Sequence, residues 1–184
     1  MQRRDFLIML TGAPLAIVPM RAAWSAGTAA KPIAEIQSNW KSLLAPGADI
    51  ASTTDALALA DEEWKKRLTA QQYDVLRHEG TEYPFTSPLN NEKRAGVFVC
   101  AGCSLPLFTS QMKFDSGTGW PSFFTLIPDR LATKQDFKLV YPRTEYHCVR
   151  CGGHQGHVFD DGPPPTGLRY CNNGVALKFI PQKA

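Results

Sequence analysis

The pattern of polar and apolar positions changes character near Gly80. Before it, residues 61–68 begin with acidic and end with basic side chains, which suits the dipole of a short helix, and Thr69 with Gln72 has the spacing of a capping box that opens a second helix ending at Gly80. After it, short apolar or alternating runs are separated by Gly, Pro, Asn and Asp, which is typical of β-strands. These runs are residues 96–100, 137–141, 144–149, 168–171 and 175–180. The sequence therefore predicts a mainly β (α+β) domain with short N-terminal helices.

The first 25 residues have the pattern of an export signal. Arg3 and Arg4 precede an apolar stretch over residues 6–18, and small residues follow. The Arg-Arg-x-Phe-Leu beginning resembles a twin-arginine signal, the bacterial address for proteins that are exported already folded. We therefore predict a signal peptide over residues 1–25, export to the bacterial periplasm, a linker over 26–56 with one or two helical turns, and the main domain over 57–184. An uncleaved apolar tail is the alternative reading.

Composition excludes some classes of partner. The chain has 184 residues, 43% of them hydrophobic and 20% charged, which is close to the globular norm. Its formal net charge of +3 is too small to indicate the clustered basic face of a nucleic-acid-binding protein. No apolar run reaches the roughly 18–20 residues that a bilayer-spanning helix needs. We expect no nucleic-acid partner and no stable membrane insertion after signal removal.

Four of the five cysteines form two C-x-x-C pairs, Cys100 with Cys103 and Cys148 with Cys151. Two such pairs can complete a closed, tetrahedral four-thiolate site, which predicts one structural Zn²⁺. The long segment between the pairs means that the metal would join two distant strands. Two disulfides or one redox-active pair are the competing readings, and export makes disulfides a serious rival. A C-x-x-C disulfide closes only a very small loop, however, and constrains the chain little.

The fifth cysteine, Cys171, follows Arg169 at strand spacing. In a strand over residues 168–171 both side chains project from one face, and Asn173 comes next in the same alternation. A neighbouring arginine favours the thiolate, which is the nucleophilic form of cysteine. Buried, inert cysteines are also common. The local sequence leaves a nucleophile and a structural cysteine equally open.

Two further segments carry candidate chemistry. His154 and His157 lie in a glycine-rich segment and could supply hydrogen bonds and protons to a reacting group. A second metal site with Asp160 or Asp161 is the next reading, and a purely structural role the third. Trp120, in a glycine-rich loop closed by a proline, could form a wall for a small apolar group such as a methyl, or simply cover the core.

Taken together, these segments resemble the B-type methionine sulfoxide reductases, which act on the R epimer of the sulfoxide. The resemblance runs from about residue 61 to residue 180. Each segment alone is modest, but their order and number make the match specific. The segments are residues 63–69, 80–82, 84–86, the two C-x-x-C pairs, 119–123, 151–154, 156–159, 169–171 and 173.

The resemblance implies a fold of two antiparallel sheets with helices on the N-terminal side and a structural zinc site away from the active site. It implies that Cys171 is the nucleophile, that Arg169 supports its thiolate, and that Trp120 packs on the S-methyl group of the substrate. The residues that it implies for binding and polarising the sulfoxide oxygen are His154, His157 and Asn173.

One departure from the family pattern concerns the regeneration of the enzyme. Many members carry a second, resolving cysteine at the position that Thr118 occupies here. The resemblance therefore implies the one-cysteine form, in which a sulfenic acid on Cys171 is reduced by an external thiol, either a thioredoxin-like protein or a low-molecular-weight thiol. We expect the substrate to be methionine-R-sulfoxide in oxidised proteins rather than the free amino acid, which indicates protein repair under oxidative stress. A non-catalytic, zinc-ribbon-like binding module is the alternative.

Overall fold

The structure, a computed structural model, describes residues 31–138 and 141–183. The predicted signal peptide over residues 1–25 and the first residues of the predicted linker lie outside the described residues. Within the described ranges, no helix has both the length and the apolar character needed to cross a bilayer.

In the part of the chain that the structure describes, three short α-helices precede the sheets. Helix α1 spans Ile33–Ser38 and continues into a 3-10 turn, α2 spans Asp61–Arg67, and α3 spans Ala70–His78. The predicted capping box opens α3, because the Thr69 side chain accepts from the Gln72 backbone while the Gln72 side chain accepts from the Thr69 backbone. Helix α3 ends with Glu79 in the left-handed conformation, φ 57°, immediately before Gly80.

The predicted linker is attached to the domain where the structure describes it. Leu43, at the end of the first 3-10 turn, is 6% exposed and belongs to the hydrophobic core. Further along, the backbone N–H of Ala51 donates to the carbonyl of Ser104 at 2.9 Å. The predicted helical turns are present, and their apolar side chains pack against the hydrophobic core of the domain.

Within the described residues, nine strands form two antiparallel sheets, which confirms the predicted fold class. One sheet has the order β2-β1-β9 and the other β3-β4-β8-β7-β6-β5. The strands are β1 Gly96–Cys100, β2 Pro106–Thr109, β3 Lys113–Phe114, β4 Ser122–Phe123, β5 Leu131–Asp136, β6 Arg143–Cys148, β7 His154–Phe159, β8 Arg169–Asn172 and β9 Leu177–Pro181.

The predicted strand over residues 137–141 is absent at the three of its positions that the structure describes, 137, 138 and 141, and its other two positions lie outside the described residues. The strand in this region is β5, which ends at Asp136, and the side chains of Phe137 and Tyr141 are 74% and 63% exposed. Hydrophobicity misleads here because β5 lies at the edge of its sheet and is mostly polar, whereas the aromatic residues Phe137 and Tyr141 lie outside it.

Aromatic side chains from the two sheets form the core between them. Phe98 on β1 and Phe108 on β2 both contact Phe123 on β4, with ring centroids 5.0 and 4.1 Å apart. All three rings are fully buried. This packing fixes the position of β4, and β8 lies beside β4 in the middle of the larger sheet.

Candidate active site

Cys171 lies on β8 between two neighbouring strands. Its backbone is in register with Ser122 on β4 and with His157 on β7. The side chain is half-buried and lines a pocket of about 120 Å³. The lining residues are Thr81, Trp120, Arg143, Gly156, His157, Phe159, Cys171 and Asn173.

The pocket brings together four of the six predicted catalytic and substrate-binding residues, namely Cys171, Trp120, His157 and Asn173. His154 and Arg169 do not line it. Both are buried beside it, each held by a carboxylate. They therefore lie behind the pocket wall, where His154 contacts His157 and Arg169 contacts Cys171.

Burial and charge act on the Cys171 thiol in opposite directions. Burial raises the pKa of this thiol, and it outweighs the charge of Arg169 and the hydrogen bonds from Thr118 and Arg169, all of which lower the pKa. Arg169 lowers the pKa of Cys171, as predicted, but its effect is weakened by a carboxylate. Its Nε and Nη2 donate to the two carboxylate oxygens of Asp161 at 2.8 and 2.9 Å. In the free protein the thiol form of Cys171 is thus favoured more than in an ordinary cysteine.

A carboxylate holds the pocket histidine and the pocket arginine together. Asp136 Oδ2 lies 2.7 Å from His157 Nε2 and accepts from Arg143 Nη2 at 2.6 Å. The pKa of Asp136 is far below its usual range, first because the Lys138 backbone N–H donates to it and then because of His157 and Arg143. An ionised carboxylate only accepts, so Nε2 of His157 carries a proton.

The same arrangement keeps His157 neutral. Burial lowers the pKa of His157 and the Arg143 charge lowers it further, and together they outweigh Asp136, which raises it. With the proton of a neutral ring on Nε2, the other ring nitrogen is an acceptor.

His154 packs behind His157, with ring centroids 5.5 Å apart. Its Nδ1 lies 2.7 Å from Glu145 Oε1, and its buried Nε2 has no hydrogen-bond partner. Burial would raise the pKa of Glu145, but hydrogen bonds from His154 and His147 outweigh it and lower that pKa. The second metal site considered for these histidines is not assembled, because His157 contacts Asp136 and Asp161 contacts Arg169.

The amide of Asn173 is engaged with the backbone of two other segments. Its Oδ1 accepts from the Glu82 backbone at 3.1 Å, and its Nδ2 donates to the Gln155 carbonyl at 3.1 Å. Glu82 is itself buried and accepts from the backbone N–H groups of Gly174 and Val175. Burial raises the pKa of Glu82 despite these hydrogen bonds.

Trp120 is tied to the same segment, since its Nε1 donates to the Glu82 carbonyl at 3.2 Å. Glu82 therefore connects the tryptophan loop to Asn173, the residue directly after β8.

The sequence motifs do not indicate a role for four residues at the site, namely Asp136, Arg143, Glu82 and Glu145. A signal for two of them exists in β6, where Arg143, Glu145 and His147 alternate and so project from one face of the sheet. Asp136 carries no such signal, because only the antiparallel pairing of β5 with β6 places it opposite Arg143.

The four paired cysteines meet at one point. Their sulfurs all lie within 4.8 Å of one another, with Cys100 Sγ 3.6 Å from Cys151 Sγ and Cys103 Sγ 3.5 Å from Cys148 Sγ. A tetrahedron with metal–sulfur bonds of about 2.3 Å has edges of about 3.8 Å, so the group fits a tetrahedral ion. It is the only group of three or more such ligands within residues 31–138 and 141–183. All five cysteines have free thiols, so the two disulfides considered as an alternative are not formed in this structure.

Gln155 lies between this cluster and the end of β8. It is fully buried, and its Nε2 donates to Cys100 Sγ at 3.4 Å while its Oε1 accepts from Asn172 Nδ2 at 3.4 Å. Its carbonyl accepts from the Asn173 backbone at 2.8 Å. One side chain thus bridges a cysteine of the cluster and the residues that follow Cys171.

Residues 68–181 match the SelR domain family. The chain is 54% identical over 125 residues to the peptide methionine sulfoxide reductase MsrB of Methanosarcina barkeri, covering 67% of this chain and 88% of that protein. It is 48% identical over 130 residues to the MsrB of Agrobacterium fabrum, covering 70% of this chain and 96% of that protein. It is also 50% identical over 130 residues to the chloroplastic peptide methionine sulfoxide reductase B1 of Arabidopsis thaliana, covering 70% of this chain and 64% of that protein.

Proposed function

Because this chain belongs to the SelR-domain family and is a peptide methionine sulfoxide reductase, we propose that it reduces methionine-R-sulfoxide through a sulfenic acid on Cys171. The observation that carries this proposal is the position of Cys171. It is the one cysteine outside the four-sulfur cluster, and it lies in a pocket with Trp120 and His157. Family membership and this pocket both argue against the non-catalytic binding module.

The pocket supports a substrate of this size and polarity. A volume of about 120 Å³ admits the end of one side chain. Trp120 offers an apolar surface to the S-methyl group, while His157, Asn173 and Arg143 offer polar groups to the sulfoxide oxygen. Placing the methyl and the oxygen on different walls would distinguish the two epimers at sulfur.

In the proposed reaction the Cys171 thiolate attacks the sulfoxide sulfur, and the oxygen gains negative charge. His157, in its imidazolium form, gives this oxygen a proton, and the Arg143 guanidinium stabilises its charge. Transfer of the oxygen then leaves methionine and a sulfenic acid on Cys171. His154 and Arg169 are positioning residues that hold His157 and the thiolate from behind.

An external thiol completes the cycle. It attacks the sulfenic acid to give a mixed disulfide and water, and a second thiol releases Cys171 as a thiol together with the external disulfide. Thr118 occupies the position from which a second cysteine would act, and the other four cysteines are in the cluster. We therefore expect the reductant to be a thioredoxin-like protein or a small thiol.

We assign the cysteine cluster to one structural Zn²⁺ held by Cys100, Cys103, Cys148 and Cys151. Such a four-thiolate ion has no open coordination position and supplies structural cross-linking rather than chemistry. The ligands come from the ends of β1 and β6, in different sheets. The ion would therefore join the two sheets.

The proposed location is the bacterial periplasm, where exported proteins carrying oxidised methionine would be the substrates. Twin-arginine export of a folded chain would allow the metal to be loaded in the reducing cytosol. A fusion of residues 1–30 to a reporter should be exported, and replacing Arg3 and Arg4 by lysines should abolish export. Export that survives this double replacement would contradict a twin-arginine route.

The direct test of the proposed chemistry is the mass of the protein after one turnover. Treated with methionine-R-sulfoxide and no reductant, the protein should gain one oxygen atom on Cys171 and form no internal disulfide. The S epimer is the matched control and should leave the mass unchanged. An internal disulfide after turnover, or unmodified Cys171, would refute the sulfenic acid proposal.

A further inference from the structure

A second groove shares Trp120 with the active-site pocket. This second groove has a volume of about 320 Å³, and Trp120 lines both. The pocket at Cys171 is large enough for the end of one side chain, so the rest of a polypeptide substrate must lie outside it. The remaining residues that line the groove are Phe85, Asn90, Asn91, Lys113, Phe114, Asp115, Gly117 and Gly119.

Aromatic rings form the apolar part of this groove. Phe85 is 73% exposed, and it shares the groove with Phe114 and Trp120. Large apolar side chains that are grouped on a surface commonly mark interaction sites, and these three rings form such a group.

The backbone of Phe85 is nevertheless fixed. Its N–H donates to the Gly119 carbonyl at 2.7 Å, and its φ of 64° is in the left-handed region. Gly119 makes this close approach possible, because a Cβ at residue 119 would lie 2.8 Å from the Phe85 nitrogen. The Phe85 ring is therefore held against the same loop that carries Trp120.

We propose that this groove is a subsite for an apolar side chain that neighbours the oxidised methionine in a polypeptide substrate. The inference rests on the proposed function and names the substrate feature that the enzyme selects. Consecutive Cα atoms are about 3.8 Å apart, so a residue one or two positions from the methionine can reach a groove that shares one lining side chain with the pocket.

The polar residues of the groove suit the backbone of the same occupant. Lys113 Nζ donates to the Asn90 carbonyl at 2.7 Å, which holds this amine at the edge of the groove. Together with the Asn91 amide it supplies donors for peptide carbonyls.

The test compares two hexapeptides, each with one central methionine-R-sulfoxide, flanked on both sides by leucines in one and by serines in the other. The wild-type protein should have a kcat/KM about tenfold higher for the leucine peptide, as expected for one partly enclosed apolar side chain. Phe85→Asn removes the ring while keeping a residue that tolerates positive φ. This variant should reduce the tenfold preference to about twofold or less, as the apolar contact is lost.

Tyr83→Asn is the matched control, because Tyr83 is 81% exposed in the same loop but does not line the groove. It should retain the leucine preference. The preference is a ratio within each variant, so a change in the folded fraction does not affect it. Equal kcat/KM for both peptides in the wild type, or equal loss of preference in the two variants, would overturn the subsite. Absence of turnover on the amide of N-acetyl-methionine-R-sulfoxide would instead overturn the proposed function and this inference with it.

Discussion

Two regions of the protein hold its five cysteines in opposite surroundings. Four sulfurs lie together in a cluster whose members are mostly buried, so each thiol has three other thiols within 4.8 Å. Cys171 instead faces a pocket and has Thr118 and Arg169 as partners. The five side chains are identical, so the groups that surround each sulfur determine whether it faces other thiols or an open pocket. Substitutions that remove a sulfur, or a group in contact with one, test this difference.

Replacing Cys171 should have the largest effect on activity. Cys171→Ser removes the proposed nucleophile, and kcat/KM for methionine-R-sulfoxide with dithiothreitol should fall by more than about 1,000-fold. Metal content and the midpoint of urea unfolding should stay at wild-type values, because the cluster is untouched. Substantial remaining turnover would mean that another group carries the reaction.

The same substitution in the cluster should act on stability instead. Cys103→Ser removes one thiolate, and Cys103 is the least buried of the four, so little packing is lost. We expect loss of the metal and a decrease in the free energy of unfolding of more than about 3 kcal/mol, measured by urea denaturation. Extracting the metal from the wild type with a chelator should lower stability comparably. A stable, metal-free Cys103→Ser protein would contradict a structural cluster.

Removing the carboxylate that holds His157 should reduce activity about tenfold through loss of positioning and charge. Asp136 raises the pKa of His157, so in Asp136→Asn that pKa should fall further. Burial already raises the pKa of Cys171 and lowers that of His157, so the reactive pair of thiolate and imidazolium is a minority form. The profile of kcat/KM against pH then rises through the His157 pKa and falls through the Cys171 pKa.

Asp136→Asn should therefore move the rising limb to lower pH. The matched control is Asp160→Asn. It removes an exposed carboxylate directly after β7 and should leave both limbs of the pH profile unchanged. If the two variants behave alike, Asp136 does not act through His157.

Thr118 should control the other limb of the same profile. Its hydrogen bond lowers the pKa of Cys171, so Thr118→Val should raise that pKa, reduce the thiolate fraction and move the falling limb to higher pH. We expect a loss of kcat/KM of a few-fold, roughly one hydrogen bond to a charged group. Thr118→Ser keeps the hydroxyl and should resemble the wild type. The rate of alkylation by iodoacetamide as a function of pH measures the thiol directly.

Gln155→Leu tests how independent the two regions are, and its effect on activity should be the smallest. The substitution removes the N–H donated to Cys100 Sγ but leaves Asn172 Nδ2 its bond to the Asn173 carbonyl at 2.8 Å. We expect transfer of the metal to a chelator to become about tenfold faster, as for other groups that support metal ligands. The kcat/KM should change by less than about twofold if the metal acts only on structure. A larger loss of activity would show that the cluster and the pocket are coupled.

The sequence determined the mainly β fold, the two helices around the Thr69 capping box and two C-x-x-C pairs, each with the spacing of a metal-binding turn. These features depend on local spacing, which the chain carries within a few residues. Strands with clear alternation or apolar runs, such as β1 and β9, were found for the same reason. Strands β2, β3, β4, β5 and β7 were missed. The first three have only two to four residues each, β5 is a polar edge strand, and β7 begins with histidine and glycine residues rather than an apolar run.

Only the tertiary structure decided how the pocket is composed. Asp136 meets His157 and Arg143 because three strands lie side by side, and Glu82 meets Asn173 across ninety-one positions of sequence. The sequence indicated that Arg169 favours the thiolate of Cys171. Its net effect depends on burial and on Asp161, which are properties of the folded environment. Spacing along a chain specifies which groups can meet, whereas desolvation and competing partners, which set their charge, exist only after folding.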